Sequence, residues 1–246
     1  LGGKNAIVVM ADADLDLAVD GIVWSAFGTT GQRCTAASRV VVEAPVHDAL
    51  LRRLADRAAV LRLGSGLEPG IDVGPLVNAP AREKVAEYCG IGASEGRLVM
   101  GGAPATSAGL EHGHFFAPTI FDGVLPMARI AQEEIFGPVL SVIPVADYGA
   151  AVAAVNGTRY GLSSSIFTRD VNLAFRAMRD FTTGIVYINA GTIGAETHLP
   201  FGGVKQTGNG HREAGHVALD TYTEWKSIYV DFSGRLQRAQ IDNQPD

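Results

Sequence analysis

Apolar and polar positions along the chain follow two periods in turn. Short apolar, β-branched runs at 6–10, 40–43, 139–145, 164–168 and 184–189 read as buried strands, with Pro45 closing the second. Between them the spacing is helical. Leu15, Ala18, Val19, Ile22, Val23 and Ala26 share one face of a helix that Asp14 or Asp12 can cap. Leu50, Leu51, Leu54, Ala58 and Leu61 do the same within 47–63. Further helices are predicted over 81–94, 150–155 and 171–180, and a strand over 97–100. The Gly- and Pro-rich stretch 64–78 is a loop, and 101–130 is loop with extended pieces at Phe115-Phe116 and Thr119-Ile120. A long Gly-rich connection covers 190–210, a length that in a compact domain usually carries function. Residues 223–231 alternate as a terminal strand would. Strand and helix in regular succession predict an α/β fold around a mostly parallel sheet.

Composition narrows the partners. At 246 residues, with 47% hydrophobic and 19% charged residues, the chain can form one large or two small domains of ordinary globular kind. A net charge of −6 with no basic run argues against nucleic acid and against an anionic membrane surface. No apolar run approaches the ~18 residues of a membrane span. Cys34 and Cys89 make no disulfide framework, so a cytoplasmic setting is expected.

Candidate chemistry centres on Gly31-Gln32-Arg33-Cys34-Thr35. A cysteine in a Gly-rich turn beside an arginine is in the setting that favours thiolate, the nucleophilic form. Taken alone, the commoner reading of such a cysteine is a small buried hydrophobe. Other motifs change the balance. Leu1-Gly2-Gly3-Lys4-Asn5, Glu133-Glu134-Ile135-Phe136-Gly137-Pro138, Asn156, Tyr160-Gly161-Leu162, Tyr187-Ile188-Asn189 and Pro200-Phe201-Gly202-Gly203-Val204-Lys205 accompany it in order. Together they resemble the C-terminal, catalytic half of an NAD(P)-dependent aldehyde dehydrogenase, from Leu1 to about Asp231.

The resemblance implies a three-layer αβα catalytic domain over 1–222 and a C-terminal oligomerisation arm and tail over 223–246. It implies Cys34 as the nucleophile that forms a hemithioacetal and then a thioester, with its own N–H in the oxyanion site. Glu134 would bind the nicotinamide ribose, Phe136 would pack beside the ring, Lys84 would reach the ribose, and Leu1 would lie beneath the nicotinamide. Phe27 and Phe201 would wall the aldehyde pocket. Arg33 resembles family members that act on carboxylate-bearing semialdehydes, such as the aminoadipate semialdehyde type, because a guanidinium fork binds a carboxylate bidentately. An equally open reading pairs Arg33 with a local acid, or has it only tune Cys34. The family's general-base glutamate would immediately precede Leu1. The chain is therefore expected to be the catalytic half without the N-terminal cofactor domain, inactive alone and part of a homodimer or homotetramer. The cofactor, NAD or NADP, is left open.

Several patterns are set aside. Asp12-x-Asp14-x-Asp16 has Leu17 where a calcium loop needs glycine. Gly64-x-Gly66 runs into Pro69-Gly70, which breaks a dinucleotide fingerprint. His112-x-His114 has no third ligand at metal spacing, so no metal site is predicted. Cys89 lies in a helix with no cationic neighbour in sequence and reads as structural. Two alternative functions stay open from sequence: a non-catalytic oligomerisation fragment, and a thiol esterase using Cys34.

Overall fold

The elements follow in the order β1 (Asn5–Val9), α1 (Leu15–Phe27), β2 (Ala37–Glu43), α2 (His47–Ala59), α3 (Ala79–Glu95), β3 (Arg97–Met100), β4 (Thr119–Asp122) and α4 (Arg129–Gln132). Then come β5 (Val139–Val145), α5 (Tyr148–Asn156), β6 (Tyr160–Gly161), β7 (Ser163–Phe167), α6 (Val171–Asp180), β8 (Ile185–Ile188), β9 (Val204–Lys205) and α7 (Leu219–Tyr222). The computed structural model describes residues 2–107 and 109–235.

Seven strands form one sheet in the order β3-β4-β5-β2-β1-β7-β8. Every pairing is parallel except β3 with β4 at one edge. A parallel sheet is covered on both faces, so its strands are apolar on both sides, as the near-continuous runs of β1 and β2 require. Successive side chains go to opposite layers. Ala6, Val8, Val41 and Ile143 meet Val85 and Cys89 of α3, Ala151 and Val155 of α5, and Ala177 of α6. Ile7, Val9, Val40 and Val42 meet Val19 and Ile22 of α1 and Leu50 and Leu54 of α2. The result is the three-layer αβα domain, with helices on each face of a mostly parallel sheet.

Asp14 is the cap of α1, accepting from the N–H groups of Asp16 and Leu17. Asp12 instead accepts from Thr168 Oγ1 and from the N–H groups of Arg169 and Asp170. The helix expected to reach 63 stops at Ala59. There Leu61 N–H turns back to the Ala58 carbonyl, and Leu63 pairs with Val73 instead. Residues 223–231 form no strand among the described residues; Trp225, Ile228 and Tyr229 are exposed. Residues 236–246 of the expected tail lie outside the described residues. No helix among the described residues is long and apolar enough to cross a membrane.

Candidate active site

Cys34 sits in the turn between α1 and β2. Thr30 and Gly31 both adopt positive φ, 58° and 66°, so the chain reverses sharply after α1. A Cβ on Gly31 would lie 2.1 Å from the Gly137 carbonyl oxygen, so only glycine lets this turn rest against the 136–138 segment. Gln32 anchors the turn from the other side: its amide donates to the Pro75 carbonyl at 3.1 Å, and its Oε1 accepts from Val77 N–H at 2.9 Å.

The backbone of the cysteine is fixed from below by β1. Asn5 Nδ2 donates to the carbonyls of Cys34 at 2.7 Å and Ala36 at 2.8 Å, while its Oδ1 accepts from Ser163 N–H at 3.1 Å. Gly3 lies so close that a Cβ there would stand 2.3 Å from the Cys34 carbonyl oxygen. Thr192 Oγ1 holds the next carbonyl, that of Thr35, at 2.7 Å. Sequence reasoning assigned no role to Asn5 or Thr192. Asn5 stood next to Leu-Gly-Gly-Lys as a signal, but its partners lie about 30 and 160 residues away. The Cys34 N–H donates to no group among the described residues, and the side chain is exposed.

Two cavities meet at this side chain. One, about 780 Å³, is lined among others by Gly2, Cys34, Leu162, Phe201, Arg212 and Glu213. The other, about 550 Å³, is lined by Arg33, Cys34, Thr35, Phe136, Ala195 and Phe201 along with Gln32 and Gly194. Arg33 is exposed and pairs with no carboxylate among the described residues, so the local-acid alternative is not realised here. Phe201 lines both cavities. Phe27 does not: it is fully buried between α1, α2 and the sheet, among Ile22, Leu54 and Phe167. Its place at the C-terminal end of α1's apolar face turns it inward, which corrects the expectation that it walls the pocket.

Glu134 and Phe136 arrive from the segment after α4. Glu134 Oε1 accepts from Gly3 N–H at 3.0 Å. A Cβ on Gly2 would meet its Oε2 at 2.5 Å, so the two glycines leave the carboxylate its room. Phe136 adopts φ 60° and leaves its ring 42% exposed beside Arg33 and Cys34. Lys84 directs its ammonium to the main-chain carbonyl of Glu134 at 2.8 Å. Leu1 lies outside the described residues. Cys89, by contrast, is buried under α3, and burial pushes its thiol up to about 11, away from the reactive range.

Behind this segment lies Lys4, buried and with no hydrogen-bond partner for its ammonium among the described residues. Burial brings it down to about 7; the charge of Arg39 adds to the fall, and the charges of Glu134 and Glu133 oppose it. Arg39 is also fully buried, and it satisfies its guanidinium on the carbonyls of Lys4, Ala154 and Val155.

Comparison with known proteins places this arrangement. Residues 1–228 match the model of the aldehyde dehydrogenase family. The chain belongs to the aldehyde dehydrogenase family. Among its relatives, α-ketoglutarate semialdehyde dehydrogenase of Haloferax volcanii is 42% identical over 94% of this chain and 48% of its own. Betaine aldehyde dehydrogenase of Mesorhizobium japonicum is 40% identical over 94% of this chain and 47% of its own. Of solved structures, 1-pyrroline-5-carboxylate dehydrogenase from Thermus with bound NAD superposes with a TM-score of 0.86, at 42% identity, over 91% of this chain and 42% of that one. The chain spans about half the length of the curated relatives it matches.

Proposed function

We propose that this aldehyde dehydrogenase oxidises a carboxylate-bearing semialdehyde to the corresponding dicarboxylate, with Cys34 as nucleophile and a nicotinamide cofactor as oxidant. The observation that carries the reading is the position of Cys34: exposed, with an N–H and a neighbouring Arg33 guanidinium that meet no partner among the described residues, between a cavity and a segment that offers Glu134 and Phe136.

Those residues fit the nicotinamide end of the cofactor. Glu134 keeps Oε2 without a partner among the described residues, and a carboxylate accepts two ribose hydroxyls well. The Phe136 ring has an open face, and Lys84 stands at the rim of the same segment. A bound nicotinamide supplies the hydride acceptor. The NAD of the Thermus neighbour favours NAD as that cofactor.

On the protein's side, the Cys34 sulfur bonds to the aldehyde carbon, and the carbonyl oxygen becomes an oxyanion beside the Cys34 N–H. A preorganised donor of this kind is typically worth about 3 kcal/mol at the transition state. Loss of the aldehydic hydrogen as hydride leaves a thioester on Cys34. Water then cleaves the carbon–sulfur bond, releasing the acid and restoring the thiol. Arg33 clamps the distal carboxylate, and Phe201 walls the carbon chain. Relatives include both semialdehyde and betaine aldehyde dehydrogenases. A fixed guanidinium attracts a carboxylate and repels a trimethylammonium group, so the charge of Arg33 favours the semialdehyde. Residues 223–232, with Trp225, Ile228, Tyr229 and Phe232 exposed, form in this reading an arm that pairs with a second subunit.

The test uses the full-length protein. Cys34→Ala should abolish oxidation while leaving the fold intact; a thioester still detected by mass spectrometry would refute the assignment. Arg33→Ala should raise KM for a carboxylate-bearing semialdehyde about tenfold or more, against little change for a neutral aldehyde of equal length. Equal effects on both would remove Arg33 from substrate recognition.

A further inference from the structure

The two adjacent glutamates, Glu133 and Glu134, have different surroundings. Glu134 makes one side-chain bond, to Gly3 N–H. Glu133 is saturated: Oε2 accepts from Tyr88 Oη at 2.7 Å, and Arg129 donates from Nε at 3.2 Å to both oxygens and from Nη2 at 3.0 Å to Oε2. The Arg129 bonds, and then the Tyr88 bond, hold its carboxyl below the usual carboxylate range. Burial first, and then the Glu133 carboxylate, push the Tyr88 phenol up to about 12, so it remains a donor throughout the working range.

The helix before this pair cannot stand by itself. α4 has four residues, fewer than a stable isolated helix needs, and its N-cap, Ala128, has no side-chain acceptor. Its first two N–H groups, of Arg129 and Ile130, are taken by the two oxygens of Glu95, each at 2.9 Å. Glu95 is the last residue of α3. Tyr88 and Lys84 lie about two and three turns back along the same helix face, and Lys84 holds the Glu134 carbonyl. Gly137 closes against Val85 of that helix, where a Cβ would meet Val85 Cγ2 at 2.3 Å. From Arg129 to Gly137, then, the segment meets four residues of α3: Glu95, Tyr88, Lys84 and Val85.

We propose that α3 is a splint for the segment that carries Glu134 and Phe136, with Tyr88, acting through Glu133, and Glu95, acting through the start of α4, as positioning residues for the nicotinamide end of the cofactor. The proposal rests on the reading of Glu134 given above. Neither Tyr88 nor Glu95 touches the reacting atoms. Each acts by fixing where the main chain presents the Glu134 carboxylate, which has only the Gly3 N–H to hold it otherwise.

The experiment compares Tyr88→Phe, Glu95→Gln and Glu134→Gln in the full-length protein. Three quantities are read: NAD affinity by titration calorimetry, amide hydrogen exchange over 129–137, and the rate of Cys34 alkylation by iodoacetamide without cofactor. Tyr88→Phe keeps the ring and removes only the hydroxyl. It and Glu95→Gln should each weaken NAD binding about three- to tenfold and speed exchange over 129–137, with Cys34 alkylation within about twofold of the parent. Unchanged NAD affinity in both variants would overturn the proposal, whether or not exchange changes, because the bonds would then be structural only. An equal loss in Cys34 alkylation would overturn it too, since the damage would be to the domain as a whole. Glu134→Gln separates the two readings: if it leaves NAD affinity intact, the role of Glu134 fails, whereas if it weakens binding and the α3 variants do not, only the splint fails.

Discussion

Residues 129–138 and residues 190–202 both border Cys34, yet they are held in different ways. The first is tied by side chains: Glu95, Tyr88, Lys84 and Arg129 supply bonds along its length, and Gly31 abuts Gly137. The second has no side-chain ties between its ends among the described residues; there the Gly215 N–H reaches the Thr197 carbonyl at 3.0 Å. Thr192 binds Ser25 and Thr35, and Phe201 exchanges a pair of backbone bonds with Glu213. Between those ends residues 194–200 are all exposed. In this reading the wall offered to the cofactor is rigid, and the wall offered to the substrate is adjustable. A carboxylate that must accept two hydroxyls needs fixed geometry, while a chain of variable aldehydes is met by a Gly-rich surface.

The contrast is broken most severely where Gly31 of the cysteine turn abuts Gly137 of the rigid wall. Gly31→Ala puts a side chain at φ 66° and a Cβ 2.1 Å from the Gly137 oxygen. Strain and overlap together should cost more than about 2 kcal/mol of stability. Denaturant unfolding of the full-length variant checks this, and a midpoint equal to the parent's would mean that the two loops do not bear on each other.

Lys4 tests what lies behind the rigid wall. Its amine, facing Arg39, Glu134, Glu133 and Lys84, falls to about 7 in the fold from 10.5, mainly by burial. The unfolded chain therefore binds more protons than the fold between those values, and stability from this group rises with pH across that window. Below pH 7 the buried charge exacts its full penalty. Lys4→Met should then stabilise the protein, more at pH 6 than at pH 9.5, as read from unfolding midpoints at both. A destabilised variant at pH 6 would mean that the ammonium is well paired after all.

The smallest effect belongs to the adjustable wall. Leu199 is 53% exposed, and Leu199→Ala should change stability by no more than about 0.5 kcal/mol. Amides at 194–200 should exchange well before those at 130–137. Equal protection of the two segments would erase the distinction between them.

Much of this could be read before the structure was known. The short apolar runs gave β1, β2, β5, β7 and β8, and helices were expected where α1, α2, α3, α5 and α6 lie, with Asp14 among the candidate caps of α1, because both signals are local. The cysteine turn, Glu134 with Phe136, and Phe201 were legible as motifs, and Cys34, Phe136 and Phe201 line one cavity. Phe27 was misjudged, because a motif position does not say which side of a helix end faces a cavity and which faces the core.

What the chain alone determined is most of the longer strands and helices and the residue types with chemistry to offer. Tertiary structure decided which of them meet. Asn5 reaches the Cys34 carbonyl, Glu95 the start of α4, and Gly31 the Gly137 carbonyl, each across tens of residues or more. Periodicity is a property of neighbours a few residues apart. A hydrogen bond between distant segments depends on the stacking of layers and the register of strands, and no local spacing encodes either.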